Sequence, residues 1–169
     1  MAEENKLIFR VGVLTLSDKG SRGERTDTSG PGVQNLLDDH YSLEAYEIIP
    51  DDRPTIEAKL VEWADKLRLN LILTTGGTGV APRDVTPDAT LAVIDKQVPG
   101  MAEAMRYASL QKTPMAVISR AVAGIRGQTL IINLPGSPKG SKECLEAILP
   151  ALPHALEKIM GDPEDCAPN

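Results

Sequence analysis

The chain has 169 residues, of which 41% are hydrophobic, 25% are charged and 3% are aromatic, and its formal net charge is -6. This length and composition predict one globular domain with an aliphatic core and exclude global disorder. The negative charge argues against non-specific binding of nucleic acid, which normally needs lysine and arginine to displace counterions.

Neither a membrane span nor a leader peptide is expected. No apolar segment approaches the roughly 20 residues that a spanning helix needs, and the start, MAEENK, carries neither a basic region nor an apolar stretch. Cys144 and Cys166 have no neighbour at metal-binding spacing, and Cys144 is interpreted as small apolar filling of the core. We therefore expect a cytoplasmic protein.

Strands and helices alternate along the chain. Apolar runs rich in β-branched residues predict strands in the following ranges: Leu7–Leu16, Leu43–Ile49, Leu71–Leu73, Met115–Ser119 and Thr129–Leu134. The run at 71–73 is short and entirely apolar, which is typical of a strand buried on both faces of a parallel sheet.

Polar cap residues and prolines indicate where the helices begin. The predicted starts are Ser29, Asp52, Thr86 and Ser141, and a further helix is expected over Met101–Leu110. The helix after Asp52 carries Trp63 on its apolar stripe, so Trp63 is expected in the core. Pro150 and Pro153 are expected to kink or break the last helix.

This alternation predicts an α/β fold, a three-layer sandwich in which helices cover both faces of a mostly parallel sheet. No internal repeat, low-complexity segment or interior linker divides the chain. A single domain is therefore expected over residues 1–162, followed by a flexible tail at 163–169.

A glycine-rich loop, TTGGTG, follows the buried strand directly. Gly76, Gly77 and Gly79 lack a Cβ, so backbone N–H groups can approach an oxyanion, and Thr75 and Thr78 add hydroxyl donors. The spacing is neither that of a P-loop nor that of the Rossmann fingerprint. The loop is interpreted as an anion-binding nest, and a tight structural turn is the alternative.

Two acidic residues follow predicted strands and can meet at one edge of the sheet. Asp51 comes shortly after the strand that ends at Ile49, and Asp84 lies in the loop after the buried strand. Mg²⁺ prefers oxygen ligands and is commonly held by one or two carboxylates together with substrate phosphates. A magnesium site is one interpretation. Helix capping by Asp51 and a surface pair between Asp84 and Arg83 are the alternatives.

A second polar loop leads from the last strand into a helix. A helix N-terminus with a lysine can hold a phosphate, and the residues concerned are Asn133, Gly136, Ser137, Lys139 and Ser141. Arg120 and Arg126 can add bidentate contacts, because a guanidinium matches phosphate geometry. An ordinary polar turn is the alternative.

Five motifs occur in order along the chain: SDKGSRG, PDD, TTGGTGVAPRDVTPDAT, SRAVAGIRG and LIINLPGSPK. Together they resemble the MogA family, which includes the G domains of gephyrin and of its plant counterpart. The resemblance covers Val11 to about Met160. It implies a molybdopterin adenylyltransferase, which uses Mg²⁺ and ATP to adenylylate molybdopterin, with release of pyrophosphate, during molybdenum cofactor biosynthesis.

The resemblance also implies roles for individual residues. The two critical carboxylates of the family match Asp51 and Asp84, which would be both catalytic and metal-binding, and serines on its pterin side match Ser109 and Ser119. The motif loops complete the predicted substrate-binding set: Ser17, Asp18, Thr75, Gly76, Gly77, Thr78, Gly79, Arg120, Asn133, Pro135, Gly136 and Lys139.

The resemblance implies a homotrimer, and a molybdate-inserting enzyme would take the product. Neither nucleic acid nor a membrane is an expected partner. Two other functions stay open: the molybdate-insertion activity of the sister family, usually found in a much longer chain, and a non-catalytic module that binds molybdopterin as a scaffold. The presence of both carboxylates favours the enzyme.

Overall fold

The computed structural model describes residues 7–163. The predicted flexible tail at 163–169 therefore lies outside the described residues apart from Pro163, and so does Cys166. Within the described range, none of the helices has the length and the apolar character that crossing a membrane requires.

The strands form one six-stranded sheet. Their bounds are β1 (Phe9–Leu16), β2 (Tyr41–Ile49), β3 (Leu71–Thr75), β4 (Lys96–Gln97), β5 (Ala123–Arg126) and β6 (Thr129–Leu134). The order across the sheet is β2-β1-β3-β6-β5-β4. β2, β1, β3 and β6 are parallel, whereas β5 is antiparallel to β6 and β4 is antiparallel to β5. The prediction of a mostly parallel sheet is confirmed.

The described residues contain the following α-helices: α1 (Asp18–Ser21), α2 (Ser29–Gln34), α3 (Arg53–Val61), α4 (Thr86–Val93), α5 (Pro99–Leu110), α6 (Pro138–Ile148) and α7 (Leu152–Ile159). A π-helical stretch, Glu62–Lys66, continues α3. Two 3₁₀ helices span Pro114–Ile118 and Leu149–Ala151.

Helices cover both faces of the sheet. One core cluster packs α2, α5, α6 and α7 against the face that carries Leu73 and Ile132. The other packs α3 and α4 against the face that carries Ile72 and Ile131. Neighbouring residues of one strand thus enter different cores, because successive side chains point to opposite faces. The predicted three-layer architecture is confirmed.

Most predicted elements and packing roles are confirmed. Strands occur at four of the five predicted places, and a helix covers 101–110. Asp52 caps α3, because its carboxylate accepts a hydrogen bond from the N–H of Thr55 (3.1 Å). Trp63 is 1% exposed and lies in the core. The predicted break of the last helix at Pro150 and Pro153 is confirmed, since a 3₁₀ helix separates α6 from α7.

The strand predicted at Met115–Ser119 is wrong, because this segment forms the 3₁₀ helix Pro114–Ile118. Pro114 fixes φ and has no N–H for a sheet ladder, and the Thr113 hydroxyl accepts the N–H of Met115 (3.3 Å). The apolar pattern also does not predict β4 and β5, which are only two and four residues long.

Three predicted helix caps are wrong in position. The helices α2, α4 and α6 follow Thr28, Val85 and Ser137, so the predicted caps lie inside them: Ser29, Thr86 and Ser141. At α2 the carboxylate of Asp27 takes over the capping, because it accepts the N–H groups of Ser29 (3.0 Å) and Gly30 (3.2 Å).

Candidate functional site

Two cavities lie side by side at the carboxyl ends of the parallel strands. Loops after neighbouring strands meet at this edge, which is where ligands bind in open α/β sheets. The first cavity, the polar pocket, measures about 380 Å³, and its lining includes Arg25, Asp27, Asp51, Thr75, Gly77 and Asp84. The second, the apolar pocket, measures about 280 Å³, and its lining includes Met105, Ser109, Ile118, Ser119, Pro135 and Cys144.

Asp51 is held in the polar pocket by the start of α1. The N–H of Asp18 donates to the Asp51 carboxylate (3.1 Å), and the N–H of Asp51 donates to the Asp18 carboxylate (3.0 Å). Arg83 donates to both oxygens of Asp18 (2.7 and 2.8 Å), and these bonds lower the pKa of Asp18. The carboxylate of Asp18 is thus engaged by Arg83 and by the Asp51 N–H, and Asp18 positions Asp51.

Burial is the main reason that the pKa of Asp51 is raised above its ordinary value. The negative charges of Asp18 and Asp84 act in the same direction, whereas the hydrogen bond from Asp18 and the charge of Arg83 oppose it. The pocket therefore holds a carboxylate whose charged form is only partly compensated by the protein, and a bound cation would complete the compensation.

Asp84 lines the same pocket, so the structure brings the two predicted carboxylates together. The N–H of Ala81 donates to its carboxylate (2.9 Å). A Cβ at Gly79 would lie 2.7 Å from the same oxygen, so the loop wraps closely around this group.

Arg120 orders the loop that carries Asp84. Its guanidinium donates to the carbonyl oxygens of Gly79 (2.9 Å) and Asp84 (2.5 Å), and it pairs with the carboxylate of Asp88 (2.8 Å). Its backbone N–H donates to the Thr78 carbonyl (2.8 Å). Because it lines neither the polar nor the apolar pocket, Arg120 has a positioning geometry and is not placed for the predicted phosphate contact.

Two buried hydroxyl groups lie near the glycine-rich loop without a hydrogen-bond partner. Oγ1 of Thr75 and Oγ1 of Thr86 make no hydrogen bond within residues 7–163, and both residues are fully buried. Gly77 has a φ of 64°, and a Cβ there would clash with the Thr86 oxygen and lie 3.1 Å from an Asp51 carboxylate oxygen. A ligand with oxygen acceptors could satisfy the Thr75 hydroxyl, whose residue lines the polar pocket.

The motifs do not single out two further residues of the polar pocket. Asp27 accepts hydrogen bonds from the hydroxyls of Thr15 and Tyr46 (both 2.6 Å), and although burial opposes this, its hydrogen bonds lower the pKa of Asp27. Arg25 is the only basic residue in the lining, and it has no ion pair in the described part of the chain. The polar run SRGERTDTSG, directly after β1, is the sequence signal that points to both.

Ser109 and Ser119 lie in the wall of the apolar pocket, together with Pro135. The Ser109 hydroxyl lies 3.3 Å from the sulfur of Cys144, and burial raises the pKa of this thiol. Cys144 is 5% exposed, which confirms its interpretation as core filling. Ser17, in contrast, lines the polar pocket.

One wall separates the two pockets, and two loops build it. In the glycine-rich loop, residues 76–77 line the polar pocket and residues 78–79 line the apolar pocket. After β6, Gly136 lines the polar pocket, Pro135 lines the apolar pocket, and Ser137 lines both. A ligand that lies beside Ser137 can therefore contact both the polar pocket and the apolar pocket.

Two predicted binding residues are engaged inside the protein. Asn133 is fully buried, and its side-chain amide donates to the hydroxyls of Thr74 (3.1 Å) and Thr90 (2.9 Å). Ser141 is also fully buried, and its hydroxyl donates to the Pro138 carbonyl (3.1 Å). Asn133 nevertheless lines the apolar pocket, whereas Ser141 lines neither pocket, and the hydrogen bonds of both side chains are made within the protein.

Two predicted basic contacts lie outside the pocket linings. Arg126 forms a bidentate pair with Asp65 (2.6 and 2.9 Å) at the amino end of β6, so the structure does not bring it to either pocket. The side chain of Lys139 is 83% exposed and lies 4.0 Å from Glu143. Lys139 reaches a ligand only if its side chain turns towards the pockets.

The two pockets suit different ends of one reaction complex. Carboxylates, hydroxyls, close backbone N–H groups and a free guanidinium in the polar pocket match a cation together with phosphates. Apolar walls with a few hydroxyl groups in the apolar pocket match a planar heterocycle.

A family model described as "Probable molybdopterin binding domain" matches residues 12–154, which include the lining of both pockets. A molybdopterin adenylyltransferase of Helicobacter pylori (strain J99) is 47% identical over 157 residues, which cover 91% of this chain and 89% of that protein. A molybdopterin adenylyltransferase of Haemophilus influenzae is 44% identical over 170 residues, covering 91% and 86%.

A solved structure of a molybdopterin biosynthesis enzyme is also similar to this chain. The crystal structure of the molybdopterin biosynthesis enzyme MoaB from Thermus thermophilus is 57% identical to this chain, with a TM-score of 0.87. The match covers 94% of this chain and 100% of that chain, so fold and sequence agree over nearly the full length.

Proposed function

The chain belongs to the family of the probable molybdopterin binding domain, and we propose that it is a molybdopterin adenylyltransferase of molybdenum cofactor biosynthesis. This nucleotidyltransferase joins the AMP part of ATP to molybdopterin and releases pyrophosphate. The observation that carries the proposal is the pair of pockets with different chemistry, which share Ser137 in their linings.

Each substrate is assigned to one pocket. The ATP phosphates occupy the polar pocket, against residues that include Ser17, Thr75, Gly76, Gly77 and Gly136. The heterocycle of molybdopterin occupies the apolar pocket, against residues that include Thr78, Gly79, Ser109, Ser119 and Pro135. The terminal phosphate of molybdopterin then lies near Ser137, which lines both pockets.

The reaction needs positioning and charge neutralisation more than a protein nucleophile. An oxygen of the molybdopterin phosphate attacks the α-phosphorus of ATP, and the bond from that phosphorus to the bridging oxygen breaks, so that pyrophosphate leaves. Two anions must approach each other, and backbone N–H groups of the glycine-rich loop, the Thr75 hydroxyl and Arg25 are available to donate to their oxygens.

Asp51 and Asp84 are assigned as the Mg²⁺ ligands. Their fit to a hard cation is supported by their shared pocket and by the raised pKa of Asp51, which reflects an incompletely compensated negative charge. A bound Mg²⁺ would neutralise phosphate charge. Asp18 positions Asp51, and Arg120 orders the loop that holds Asp84.

The homotrimer implied by the sequence is part of the same proposal. Large apolar side chains are exposed on α5 and on the adjoining 3₁₀ helix, namely Tyr107, Leu110, Met115, Val117 and Ile118. Contact between copies of the chain would cover such a patch. Light scattering at micromolar concentration should give about three times the mass of one chain, and a monomer would contradict the assembly.

The remaining assignments follow from the activity. A molybdate-inserting enzyme would take the adenylylated product, and a cytoplasmic location fits an enzyme that consumes ATP. Fractionation of cells that express the tagged chain tests the location. Co-purification with a molybdate-inserting enzyme tests the transfer.

The activity itself is tested with the purified chain, Mg²⁺, ATP and molybdopterin. The expected result is one pyrophosphate for each adenylylated molybdopterin, with no release when molybdopterin is left out. Tight binding of molybdopterin without pyrophosphate would indicate a non-catalytic module. Molybdate-dependent consumption of adenylylated molybdopterin would indicate the sister activity.

A further inference from the structure

Arg106 is a basic residue in the wall of the apolar pocket that no motif singles out. It lies on α5, one helical turn before Ser109, and is partly buried. Its Nη1 donates to the backbone carbonyls of Ala121 (2.9 Å) and Ser119 (3.4 Å). Within residues 7–163, its Nε and Nη2 donate to no group, and no carboxylate lies within ion-pairing distance.

The position of Arg106 defines one boundary of the apolar pocket. A further cavity of about 260 Å³ lies beyond it, lined in part by Gln97 and Pro99. Arg106, Ser119 and Ala121 line both this cavity and the apolar pocket, so they form the partition between them. The boundary with the polar pocket is made by a different residue, Ser137.

Among the described residues, Arg106 is the only cationic one in the lining of the apolar pocket. The one acidic residue there, Glu143, is engaged by Lys112 (3.0 Å) and lies 4.0 Å from Lys139. Nε and Nη2 of Arg106 are not among the buried side-chain atoms that lack a partner, so they are accessible at the partition between the apolar pocket and the adjoining cavity. A ligand that brings an acceptor to this partition would receive hydrogen bonds from a charged donor.

We propose that Arg106 is a specificity-determining residue that donates hydrogen bonds to the C4 carbonyl oxygen of the pterin. The inference rests on the proposed function, which puts the molybdopterin phosphate near Ser137 and the heterocycle in the apolar pocket. A pterin carries a carbonyl oxygen on one ring edge, and a guanidinium recognises such an acceptor edge in the way that arginine recognises guanine. The donors of Arg106 select this edge against an amino-substituted one.

Two small probes differ in the substituent at C4 and in the hydrogen on N3, which the 4-oxo probe carries and the 4-amino probe lacks. In 6-hydroxymethylpterin C4 carries oxygen, whereas in 2,4-diamino-6-hydroxymethylpteridine it carries an amino group, which would face the Arg106 donors with donors of its own. Binding of each probe is measured by titration of its fluorescence. We expect the unmodified protein to prefer the pterin by about tenfold or more, because a charged donor is left unpaired in the other complex.

Arg106→Met should reduce this preference to less than about threefold, because its side chain has no donor. Arg106→Lys keeps the charge and should retain part of the preference, which guards against a misfolded methionine variant. ATP binding in the polar pocket reports on the fold of both variants and should stay unchanged. A merely structural role would weaken both probes equally and leave their ratio intact.

An unchanged ratio in Arg106→Met overturns the inference, and so does equal or absent binding of the two probes to the unmodified protein. The proposed function is judged separately, by pyrophosphate release from ATP and molybdopterin. Release by the unmodified protein together with an unchanged ratio rejects the role of Arg106 alone.

Discussion

The polar pocket and the apolar pocket share a wall, but they come from different parts of the fold. Loops after the parallel strands build the polar pocket, so its carboxylates and glycines follow strands directly in the sequence. The apolar pocket is completed by α5, a 3₁₀ helix and the first part of α6. Sequence motifs therefore indicate the polar pocket, whereas the apolar pocket forms only when the helices pack against each other.

The two pockets also differ in electrostatics. The polar pocket holds Asp51, whose pKa burial raises, beside Asp27, whose pKa is lowered in spite of burial because hydroxyl and backbone donors surround it. Hydrogen bonds within the protein stabilise the charged carboxylate of Asp27, whereas the carboxylate of Asp51 is available to a cation. The apolar pocket has apolar walls with a few hydroxyl groups, the carboxylate of Glu143, and the guanidinium of Arg106, which has no carboxylate partner within residues 7–163. Changes in one pocket should therefore affect one substrate.

The largest effect is expected from Asp84→Asn, which removes charge from the polar pocket and keeps an oxygen for the Ala81 N–H. Turnover should fall by at least about 100-fold, because an electrostatic contribution to the transition state is lost. The melting temperature should barely change. Pyrophosphate release and thermal unfolding measure the two quantities.

Asp51→Asn should behave similarly, and the double variant should lose less than the product of the two single losses if both acids act on one cation. Asp52→Asn is the matched control, because Asp52 is adjacent in sequence but caps α3 and does not line the pocket. Asparagine also caps helices well, so this variant should keep its activity. Near-normal turnover in Asp84→Asn would remove Asp84 from the catalytic residues.

Gly77→Ala tests the backbone of the shared wall. A Cβ would clash with the Thr86 oxygen, and φ is 64°, so we expect a loss of about 1–3 kcal/mol in unfolding free energy. ATP should bind more weakly as the loop shifts. In Gly32→Ala, within α2, nothing lies within 4 Å of the new Cβ, and stability should rise by about 0.5–1 kcal/mol. Equal stability changes in the two variants would contradict the geometry.

Acid should inactivate the enzyme before it unfolds the protein. The pKa of Asp51 is raised in the cation-free protein, so protons should compete with Mg²⁺ for this carboxylate at a higher pH than at an ordinary aspartate, and turnover at low Mg²⁺ concentration should fall there. Asp18 and Asp27 have lowered pKa values, so their stabilisation is complete above the ordinary pKa and is lost only as pH falls through the lowered values. Turnover and circular dichroism should be measured along one pH series, and turnover should fall at a higher pH than the folded signal. If both fall at the same pH, the role assigned to Asp51 is contradicted.

The smallest effect is expected in the apolar pocket from Ser109→Ala. One hydroxyl is removed, so the KM for molybdopterin should rise by about 2–10-fold, in line with the loss of one hydrogen bond. The KM for ATP should not change, because Ser109 does not line the polar pocket. Steady-state kinetics with each substrate varied in turn will show this, and an equal rise in both values would place the two substrates in one undivided site.

The sequence predicts the polar pocket well for a physical reason. Parallel strands align their carboxyl ends, so residues that follow β2 and β3 must meet at one edge, and Asp51 and Asp84 do. Asp52 as a cap and Trp63 as core follow from local patterns. Local spacing and the parallel topology together are sufficient for these residues.

Other features depend on contacts between distant parts of the chain. Arg126 pairs with Asp65, 61 positions away, and its place at the amino end of β6 follows from the β5-β6 hairpin, which the apolar pattern does not reveal. Arg106 lines a pocket only because Ser119 and Ala121 pack beside α5. The apolar run after Pro114 has the composition of a strand, but the proline and the Thr113 cap make it a 3₁₀ helix.

The assignment of ATP to the polar pocket and of molybdopterin to the apolar pocket is tested most directly by equilibrium binding of each substrate to Asp84→Asn and to Ser109→Ala. In Asp84→Asn, the contribution of Mg²⁺ to ATP binding should disappear, while the Kd for molybdopterin stays within about twofold of that of the unmodified protein. In Ser109→Ala, molybdopterin should bind more weakly and Mg²⁺-dependent ATP binding should stay unchanged. If each variant weakens the binding of both substrates to the same extent, the two pockets do not hold separate substrates.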